Sequence, residues 1–421
     1  MKILIITGCV YSENCNRTDF TGLDYVVGEI VETIGKLHEV DVFTLTPYPK
    51  TAVINNGRIY SYTYGELVKY ISPNNLNRIK KIFFQCNTSF KSKIKAARSI
   101  LVVKEIERLC KNNRYDVIHV HGLGFSSFLI AEIGMKIGIP VLYTLHGLLG
   151  YKDPSISTID KKSEHKMLEM LRDGSHIVTC VSGGIKKVIC KDVGLKYENV
   201  FVINNAVKMP EPSVKNSNIK QLSKSQREII LSVGTISERK NQIQIIRAYN
   251  CSPEWVKKNY ILILAGKDTT NGVVKEYIRQ NNLESDVILT GFLFKEDLSY
   301  LYTLSQYNVM LSHGEGFGLS MIEAASFGIP TLAFSDLDAI QDIYSEDSMC
   351  LVSNHDDNSV IEGLINLLTK KWNREMIKRT VAGFSDDIYL QYIPLYMELN
   401  NSHRNRFELK DTNWGWVKDD N

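Results

Sequence analysis

Residues 308–334 read NVMLSHGEGFGLSMIEAASFGIPTLAF, and this stretch decides the fold prediction. It predicts a strand from Asn308 to Ser312, a glycine-rich loop from His313 to Gly318 and a short helix from Leu319 to Phe327. A glycine followed closely by a proline then ends the helix. A strand, a glycine loop and a helix in this order form one unit of a parallel α/β sheet. The free N–H groups at the start of such a helix suit an anion such as phosphate.

Both sides of this stretch repeat the alternation of short apolar runs with segments of helical periodicity. In the first half the predicted strands are 2–7, 40–45, 116–120, 139–145, 175–180 and 199–204. In the second half they are 229–234, 260–266, 286–291, 308–312 and 330–334. We therefore predict an α/β fold with two Rossmann-like, doubly wound domains that face each other across a cleft. Ligands of such sheets bind beyond the carboxyl ends of the strands.

The domain boundaries follow from the places where the alternation stops. One Rossmann-like domain is predicted over 1–207, a polar linker over 208–228, a second Rossmann-like domain over 229–380 and a helical tail over 381–421. The linker contains two prolines and lacks apolar periodicity. The tail is rich in aromatic residues, and we expect it to pack back on the first domain.

Composition excludes several classes of protein. The 421 residues include 50 Lys and Arg against 47 Asp and Glu, a formal charge of +3, which argues against a nucleic-acid partner. Hydrophobic residues make up 44% and charged residues 23%, as in globular proteins. No apolar run is long enough for a membrane span. The eight cysteines lack zinc-type spacing, so we expect reduced thiols in a cytoplasmic protein.

Two carboxylates frame the predicted anion site. Glu315 lies in the loop, and Glu323 lies about a turn into the helix. A carboxylate beside a phosphate is electrostatically unfavourable, so each needs a second role. Glu323 can accept hydrogen bonds from ribose hydroxyls, and Glu315 can bind sugar hydroxyls or stabilise developing positive charge. Two alternatives stay open: glutamates that only complement the helix dipole, or a nicotinamide dinucleotide site, although the glycines run G-x-G-x-G and not G-x-G-x-x-G.

The arrangement E-G-F-G-L-x-x-x-E resembles the E-x7-E motif of retaining glycosyltransferases of the two-domain GT-B type, and most of all glycosyltransferase family 4, also called group 1. Further segments resemble the same family across about 380 residues. They are DVIHVHG (116–122), YTLHG (143–147), CVSGG (180–184), VINNAV (202–207) and ILSVGTISERKNQ (230–242).

The resemblance implies a hexosyltransferase that uses a nucleoside-diphosphate-sugar, with UDP favoured, and retains the anomeric configuration. It makes Glu315, His146 and Lys240 the catalytic residues. The expected contacts to the donor diphosphate and nucleotide are Arg239, Lys240, Gly316, Phe317, Gly318, Leu319, Glu323, Gly266, Gly291, Phe292 and Leu293. The arginine that the family usually has five residues before Lys240 is Thr235 here, and whether Arg239 replaces it is left open.

On the acceptor side, the resemblance assigns the first domain to the acceptor and the second to the nucleotide-sugar. His146 is expected to contact the transferred sugar, and His121 lies at a second strand end. Arg17, Asp19 and Gly22 belong to a loop that is expected to touch acceptor or phosphate. The acceptor is expected to be a glycan, a lipid-linked glycan or a protein in bacterial surface polysaccharide or glycoconjugate assembly.

No cofactor and no essential metal are expected, because basic side chains can replace Mg²⁺ at the diphosphate. The triplet Asp336–Leu337–Asp338 is then expected to be part of a loop and not a metal site. Two alternative functions stay open. One is another GT-B enzyme, such as a nucleotide-sugar epimerase or a phosphorylase, and the other is a catalytically silent, glycan-binding partner subunit.

A basic segment lies between Arg78 and Arg98. It has seven basic residues and no acidic one, with aromatic and aliphatic residues interleaved. Such a surface attracts anionic headgroups, which predicts peripheral contact of residues 78–98 with the inner face of a membrane. The alternative is the solvated face of an ordinary helical hairpin.

Overall fold

In a computed structural model, described for residues 1–12, 17, 19–49, 53–54, 57–148, 158–172 and 176–402, the chain forms two compact units. The first unit comprises Met1–Asn205 and the chain from Asp386 onward, and the second comprises Ala206–Ser385. The predicted tail beyond residue 402 lies outside the described residues. No helix of the described part is long and apolar enough to cross a membrane.

The first unit is built on a largely parallel sheet. In the described residues its strands are β1 Lys2–Thr7, β2 Glu39–Thr44, β3 Val53–Ile54, β4 Gly57–Tyr60, β5 Val117–His121, β6 Val141–Leu145, β7 Val178–Cys180 and β8 Val200–Val202. Their order is β3-β4-β2-β1-β5-β6-β7-β8, and only the β3–β4 pair is antiparallel. Every residue of β5 and β6 is buried, as expected for central strands covered on both faces.

Helices flank this sheet. They are α1 Gly22–Gly35, α2 Tyr64–Leu67, α3 Pro73–Gln85, α4 Phe90–Asn112, α5 Phe125–Ile137, α6 Thr158–Leu171 and α7 Gly183–Val188. Shorter 3₁₀ or π turns cover Val68–Tyr70, Ile189–Val193 and Tyr197–Asn199. At the start of α1 the backbone N–H and the hydroxyl of Thr21 both donate to Asp24, at 2.7 and 2.9 Å. Burial raises the pKa of Asp24, while these two donors and the nearby charge of Arg17 act in the opposite direction.

The second unit has a fully parallel sheet. Within the described residues its strands are β9 Glu228–Val233, β10 Tyr260–Ala265, β11 Val287–Gly291, β12 Ser305–Met310, β13 Thr331–Phe334 and β14 Met349–Val352, in the order β11-β10-β9-β12-β13-β14. Its helices are α8 Ser217–Leu222, α9 Gln242–Cys251, α10 Glu254–Asn259, α11 Val273–Gln280, α12 Lys295–Leu304, α13 Leu319–Ser326, α14 Ile340–Ile343, α15 Asp357–Thr369 and α16 Arg374–Thr380.

The strand order locates the functional edge of each sheet. In the first unit the chain moves outward in opposite directions from β1 and β5, and in the second from β9 and β12. At such a switch point the loops that leave two neighbouring strands separate and open a crevice. The loops after β1 and β5, and after β9 and β12, are therefore the expected ligand-binding loops.

The segment 208–228 differs from the predicted linker. It carries α8, whose Ile219 and Leu222 are buried in the core of the second unit together with Leu231 and Ile263. The second unit ends at Ser385 and not at residue 380 as predicted. The backbone N–H of Val207 donates to the carbonyl of Phe384 at 2.8 Å and so joins the two ends of the unit. Helix α8 escaped the sequence analysis because it has six residues, too few to show periodicity.

After residue 385 the chain returns to the first unit. A 3₁₀ turn over Asp386–Gln391 and helix α17, Tyr392–Asn401, follow. Tyr392 and Tyr396 are almost fully buried, and α17 packs against β5. The tail thereby becomes part of the first unit's core.

A glycine at the end of β10 tests how tightly the second sheet is packed. A Cβ at Gly266 would lie 2.0 Å from the carbonyl oxygen of Gly234. We expect Gly266→Ala to lower the free energy of unfolding by about 1–3 kcal/mol, because backbone must move. Gly383→Ala in the same unit is the matched control, since its Cβ would meet nothing within 4 Å. Urea unfolding of the two variants checks this, and equal midpoints would contradict it.

Candidate functional site

Two loops meet at the switch point of the second unit, one after β9 and one after β12. The backbone N–H of His313 donates to the carbonyl of Arg239 at 2.9 Å. In return, the Arg239 guanidinium donates to the carbonyl of Gly314 at 2.7 Å. The glycine loop that the sequence analysis singled out is thus fixed to the loop that carries Arg239 and Lys240.

Both cations converge on one carboxylate. Lys240 Nζ lies 2.6 Å from Glu315 Oε1, and an Arg239 nitrogen lies 3.3 Å from the same oxygen. The side chains of Lys240 and Glu315 are only 15% and 10% exposed. Burial alone would raise the pKa of Glu315, but the charges of Lys240 and then of Arg239 hold that pKa below its ordinary value. Glu315 is therefore ionised at neutral pH.

The convergence of Arg239 and Lys240 could not be predicted, since neighbouring residues usually point apart. Here they lie in a turn, and Asn241 ends that turn with a φ of 56° in the left-handed region. The N–H of Asn241 donates to the carbonyls of Ser237 and Glu238, which closes the turn. Arg239 consequently lies beside Lys240 at Glu315, while Thr235 contributes only its carbonyl, to Gln242.

Helix α13 begins directly beyond this cluster. Gly318 precedes it with a φ of 80°, and a Cβ there would lie 2.1 Å from Met321 Cε. No side chain of the described residues caps this helix start, which leaves backbone N–H groups available to an anion. Phe317 is buried against Phe384, with ring centroids 5.5 Å apart, so it can offer a ligand only its backbone. Gly316 and Leu319 are half-buried on either side.

Glu323 lies within α13 and is buried. Its Oε2 accepts a hydrogen bond of 3.1 Å from the hydroxyl of Tyr302, which is itself fully enclosed. Tyr302 stacks on Phe327, with ring centroids 5.3 Å apart. Burial and the nearby charge of Glu323 raise the pKa of Tyr302, so the phenol keeps its proton and remains a donor. The sequence analysis missed Tyr302, because nothing in the pattern of α12 distinguishes it from a core residue.

The other predicted donor contacts end neighbouring strands of the same sheet. Gly266 follows β10, and Gly291 ends β11 with a φ of 71°. Phe292 is half-buried and meets Phe294 edge to face, while Leu293 packs against the core. These residues share one edge of the sheet with the Lys240 loop, and no side chain among them bonds to it in the described part of the chain.

The switch point of the first unit holds two histidines. His121 is the last residue of β5, and His146 directly follows β6. Their Nδ1 and Nε2 atoms lie 2.8 Å apart, a hydrogen bond that needs one proton. Burial lowers the pKa of both rings, and the neighbouring histidines lower that of His121 further. Both imidazoles are therefore neutral at neutral pH.

A third histidine lies beneath this pair. His119 Nδ1 is 2.7 Å from the hydroxyl of Tyr396, and its Nε2 is 2.6 Å from the hydroxyl of Thr144. Burial, and to a lesser extent His146, lowers the pKa of His119 to about 3. The sequence analysis missed His119, although its spacing of two from His121 on one strand places both on the same face. Tyr396 could not be foreseen, because it comes from α17.

The proton positions of the pair follow from the one nitrogen that has no partner. His121 Nε2 is buried and makes no hydrogen bond with the described residues. A buried N–H without an acceptor is rarer than a buried lone pair without a donor. We therefore expect His121 to carry its proton on Nδ1 and to donate it to His146 Nε2. Neutral His146 must then carry its own proton on Nδ1, which becomes its donor.

The loop after β1 contains the remaining predicted residues. Arg17 and Asp19 form a two-pronged ion pair, with N···O distances of 2.8 and 2.9 Å, and Arg17 also donates to the carbonyl of Pro47. Gly22 is exposed as the first residue of α1. Residues 13–16 and 18 of this loop lie outside the described residues.

The Asp336–Asp338 triplet lies after β13. Asp336 Oδ1 is 3.1 Å from His355 Nε2, and the His355 ring stacks on Phe334 at 3.8 Å. In the part of the chain that the structure describes, no three His, Cys, Asp or Glu residues are grouped to hold a metal ion. The expectation that the diphosphate needs no metal stays a prediction.

Removal of one charge tests the Lys240–Glu315 pair. We expect Lys240→Met to lower the free energy of unfolding by about 1–3 kcal/mol at neutral pH, because Glu315 loses its nearest cation. The depressed pKa of Glu315 makes this stabilisation complete above the ordinary value of 4.5 and lost as the pH falls through the lower folded-state value. Lys240→Met/Glu315→Gln should recover most of the loss, whereas exposed Lys258→Met should have no effect. An unrecovered double variant, by urea unfolding, would contradict the pairing.

Nitrogen NMR of the imidazole rings tests the proton positions. At neutral pH we expect His121 and His146 both as Nδ1–H tautomers, and His121→Phe should release His146 to the Nε2–H form. Exposed His165→Phe is the control and should leave His146 unchanged. A His146 ring that carries its proton on Nε2 in the unmodified protein would refute the assignment.

Two family models match the chain, one in each half. The family model "Glycosyltransferase Family 4" matches residues 20–209, and "Glycosyl transferases group 1" matches residues 214–382. An uncharacterised glycosyltransferase of Methanocaldococcus jannaschii is 24% identical over 66% of this chain and 72% of its own length. The Escherichia coli UDP-Gal:alpha-D-GlcNAc-diphosphoundecaprenol alpha-1,3-galactosyltransferase is 23% identical over 63% of this chain and 68% of its own.

Among solved structures, Anabaena HepE in complex with UDP and glucose superposes with a TM-score of 0.67 and 16% identity, over 94% of this chain and 99% of HepE. At that identity the likeness shows the fold alone. The two family models cover both units, and the sequence motifs, the parallel sheets and the structural likeness all agree with them. The chain therefore belongs to glycosyltransferase family 4, has the two-domain α/β GT-B fold and is a glycosyltransferase.

Proposed function

We propose that this chain transfers a hexose or related sugar from a nucleoside-diphosphate-sugar, with UDP favoured, to a hydroxyl group, and that it retains the anomeric configuration. The observation that carries this proposal is the meeting of Arg239 and Lys240 at Glu315, beside the uncapped start of α13. Two cations and a helix N-terminus outweigh the single negative charge of Glu315 and so form a site for an anionic group. A diphosphate is such a group.

The proposed chemistry is mainly electrostatic. As the bond between the sugar C1 and the phosphate oxygen breaks, negative charge develops on the leaving diphosphate. Lys240, Arg239 and the N–H groups at the start of α13 stabilise that charge. The acceptor oxygen then bonds to C1 on the same face, and its proton passes to the departing phosphate oxygen. The products are a nucleoside diphosphate and a glycoside.

The two glutamates have separate tasks in this scheme. Glu323 has one oxygen held by Tyr302, which fixes the carboxylate so that it can accept hydrogen bonds from ribose hydroxyls. Glu315 keeps Lys240 and Arg239 in place before the donor binds and is available to sugar hydroxyls. His146, neutral and protonated on Nδ1, can donate to a hydroxyl of the transferred sugar without adding charge.

The biological setting is proposed from the relatives. The Escherichia coli relative is named for a UDP-galactose donor and a lipid-diphosphate-linked acceptor, and HepE was crystallised with UDP. These names support a uridine donor and a lipid-linked glycan acceptor, in bacterial surface polysaccharide assembly. We propose that the reaction needs neither a cofactor nor an essential metal, because Lys240, Arg239 and the start of α13 supply positive charge where the diphosphate would bind.

Ligand-induced thermal stabilisation tests the proposal. UDP, GDP, ADP, CMP and NAD are each added with EDTA or with Mg²⁺. We expect UDP to raise the melting temperature of the protein by the same amount in EDTA and in Mg²⁺. Arg239→Met should raise the dissociation constant for UDP about tenfold or more, because a charge-assisted contact is lost. Lys258→Met, an exposed lysine of the same unit, is the control and should bind UDP normally.

Other outcomes would redirect the assignment. Stabilisation by NAD alone would favour an oxidoreductase over a transferase. If no ligand stabilises the protein, a partner subunit without activity would be favoured. UDP binding that requires Mg²⁺ would refute the metal-independent scheme. Once a donor is known, NMR of the product at C1 decides the stereochemistry, and an inverted product would refute retention alone.

A further inference from the structure

Helices α3 and α4 form a hairpin with large apolar side chains at its tip. Phe84, in the last turn of α3, is 85% exposed, and Phe90, the first residue of α4, is 70% exposed. Ile94 follows one turn later on the same face of α4 and is 50% exposed. Large exposed apolar groups gathered in one part of a surface mark interaction sites in soluble proteins.

The hairpin is held in place by its own contacts. Ser72 and Ser89 cap the two helices by accepting from the backbone N–H groups of Asn75 and Ser92. Lys93 Nζ donates to the carbonyl of Phe83 at 2.9 Å and so ties α4 to the end of α3. The rings of Phe83 and Phe90 meet edge to face at 6.0 Å. The exposed side chains therefore project from an ordered tip.

The charges around the tip have one sign. Residues 67–104 contain no aspartate or glutamate. Arg78 and Lys95 form ion pairs with Glu132 and Asp160, which belong to neighbouring helices. By contrast, Lys80, Lys81 and Lys91 form no ion pair with any described residue. The tip thus combines apolar groups with three lysines that lack a partner carboxylate.

The apolar exposure is concentrated in this part of the molecule. More than half of the exposed large hydrophobic side chains in the described residues lie between residues 64 and 94. They are Tyr64, Val68, Ile71, Leu76, Phe84, Phe90 and Ile94. A protein partner needs a complementary surface of about 800 Å² on each side. An anionic bilayer accepts single projecting side chains and attracts the lysines beside them.

We propose that the α3–α4 hairpin docks on an anionic lipid bilayer. Phe84, Phe90 and Ile94 enter the boundary between headgroups and acyl chains, and Lys80, Lys81 and Lys91 lie at the level of the lipid phosphates. The contact is peripheral. It goes beyond the proposed reaction and does not depend on it, because vesicle binding is measured without donor or acceptor.

Co-sedimentation of the full chain with lipid vesicles tests the docking. Vesicles of phosphatidylcholine alone are compared with vesicles of phosphatidylcholine mixed with phosphatidylglycerol. We expect binding to the mixed vesicles only, and less of it as salt is added. Phe84→Ser/Phe90→Ser should weaken this binding at least about tenfold, since two aromatic insertions are lost. Lys80→Glu/Lys81→Glu/Lys91→Glu should abolish it.

Matched controls come from the second unit. Val273→Ser/Tyr344→Ser removes two large side chains that are 62% and 50% exposed. Lys224→Glu/Lys258→Glu/Lys275→Glu makes the same change of charge at exposed lysines. Both controls should bind vesicles as the unmodified chain does. Circular dichroism and UDP-induced stabilisation should be unchanged in all four variants, which separates docking from folding and from the donor site.

The proposal is overturned if the unmodified chain does not bind the mixed vesicles, or if it binds phosphatidylcholine vesicles and mixed vesicles equally. It is also overturned if the hairpin variants bind as well as the controls. Hairpin variants that dissociate a dimer in sedimentation velocity, with vesicle binding intact, would assign the tip to contacts between copies of the chain and refute docking on lipid.

Discussion

The ionised carboxylate of Glu315 is the group on which the switch point of the second unit depends. It is nearly buried, and a buried charge without a partner is strongly destabilising. Lys240 supplies the nearest cation and Arg239 the second, and both come from the loop after β9. The glycine loop after β12 is therefore tied to the loop after β9 by this ion pairing. Two loops far apart in sequence are thus joined through a single carboxylate.

The sequence predicted the parts of this site that follow from local rules. The strand, glycine loop and helix of residues 308–334 appear in that order, and Gly318 has the left-handed backbone that only glycine adopts easily. The convergence of Arg239 with Lys240 was not predictable, because it depends on the turn that Asn241 closes. Tyr302 was not predictable either, since a buried tyrosine acquires its role only when the fold brings it against Glu323.

The domain boundaries also depend on contacts that local sequence patterns do not predict. The polar segment 208–228 reads as a linker, yet α8 buries two apolar residues in the second unit. The aromatic-rich tail was expected to pack on the first domain, but its sequence pattern did not indicate which residues it would contact there. Tyr396 reaches His119, and Thr144 joins His119 to the neighbouring strand. Local periodicity carries no information about contacts between residues more than two hundred positions apart. Only the structure shows that Tyr396 of α17 contacts His119.

The two switch points differ in charge, and the difference follows from what surrounds each titratable group. In the second unit, the charges of Lys240 and Arg239 hold the pKa of Glu315 below its ordinary value and keep this buried carboxylate ionised. In the first unit, burial lowers the pKa of three neighbouring histidines, which are therefore neutral at neutral pH, and no carboxylate among the described residues bonds to them. Neutral imidazoles can still direct hydrogen bonds at hydroxyl groups.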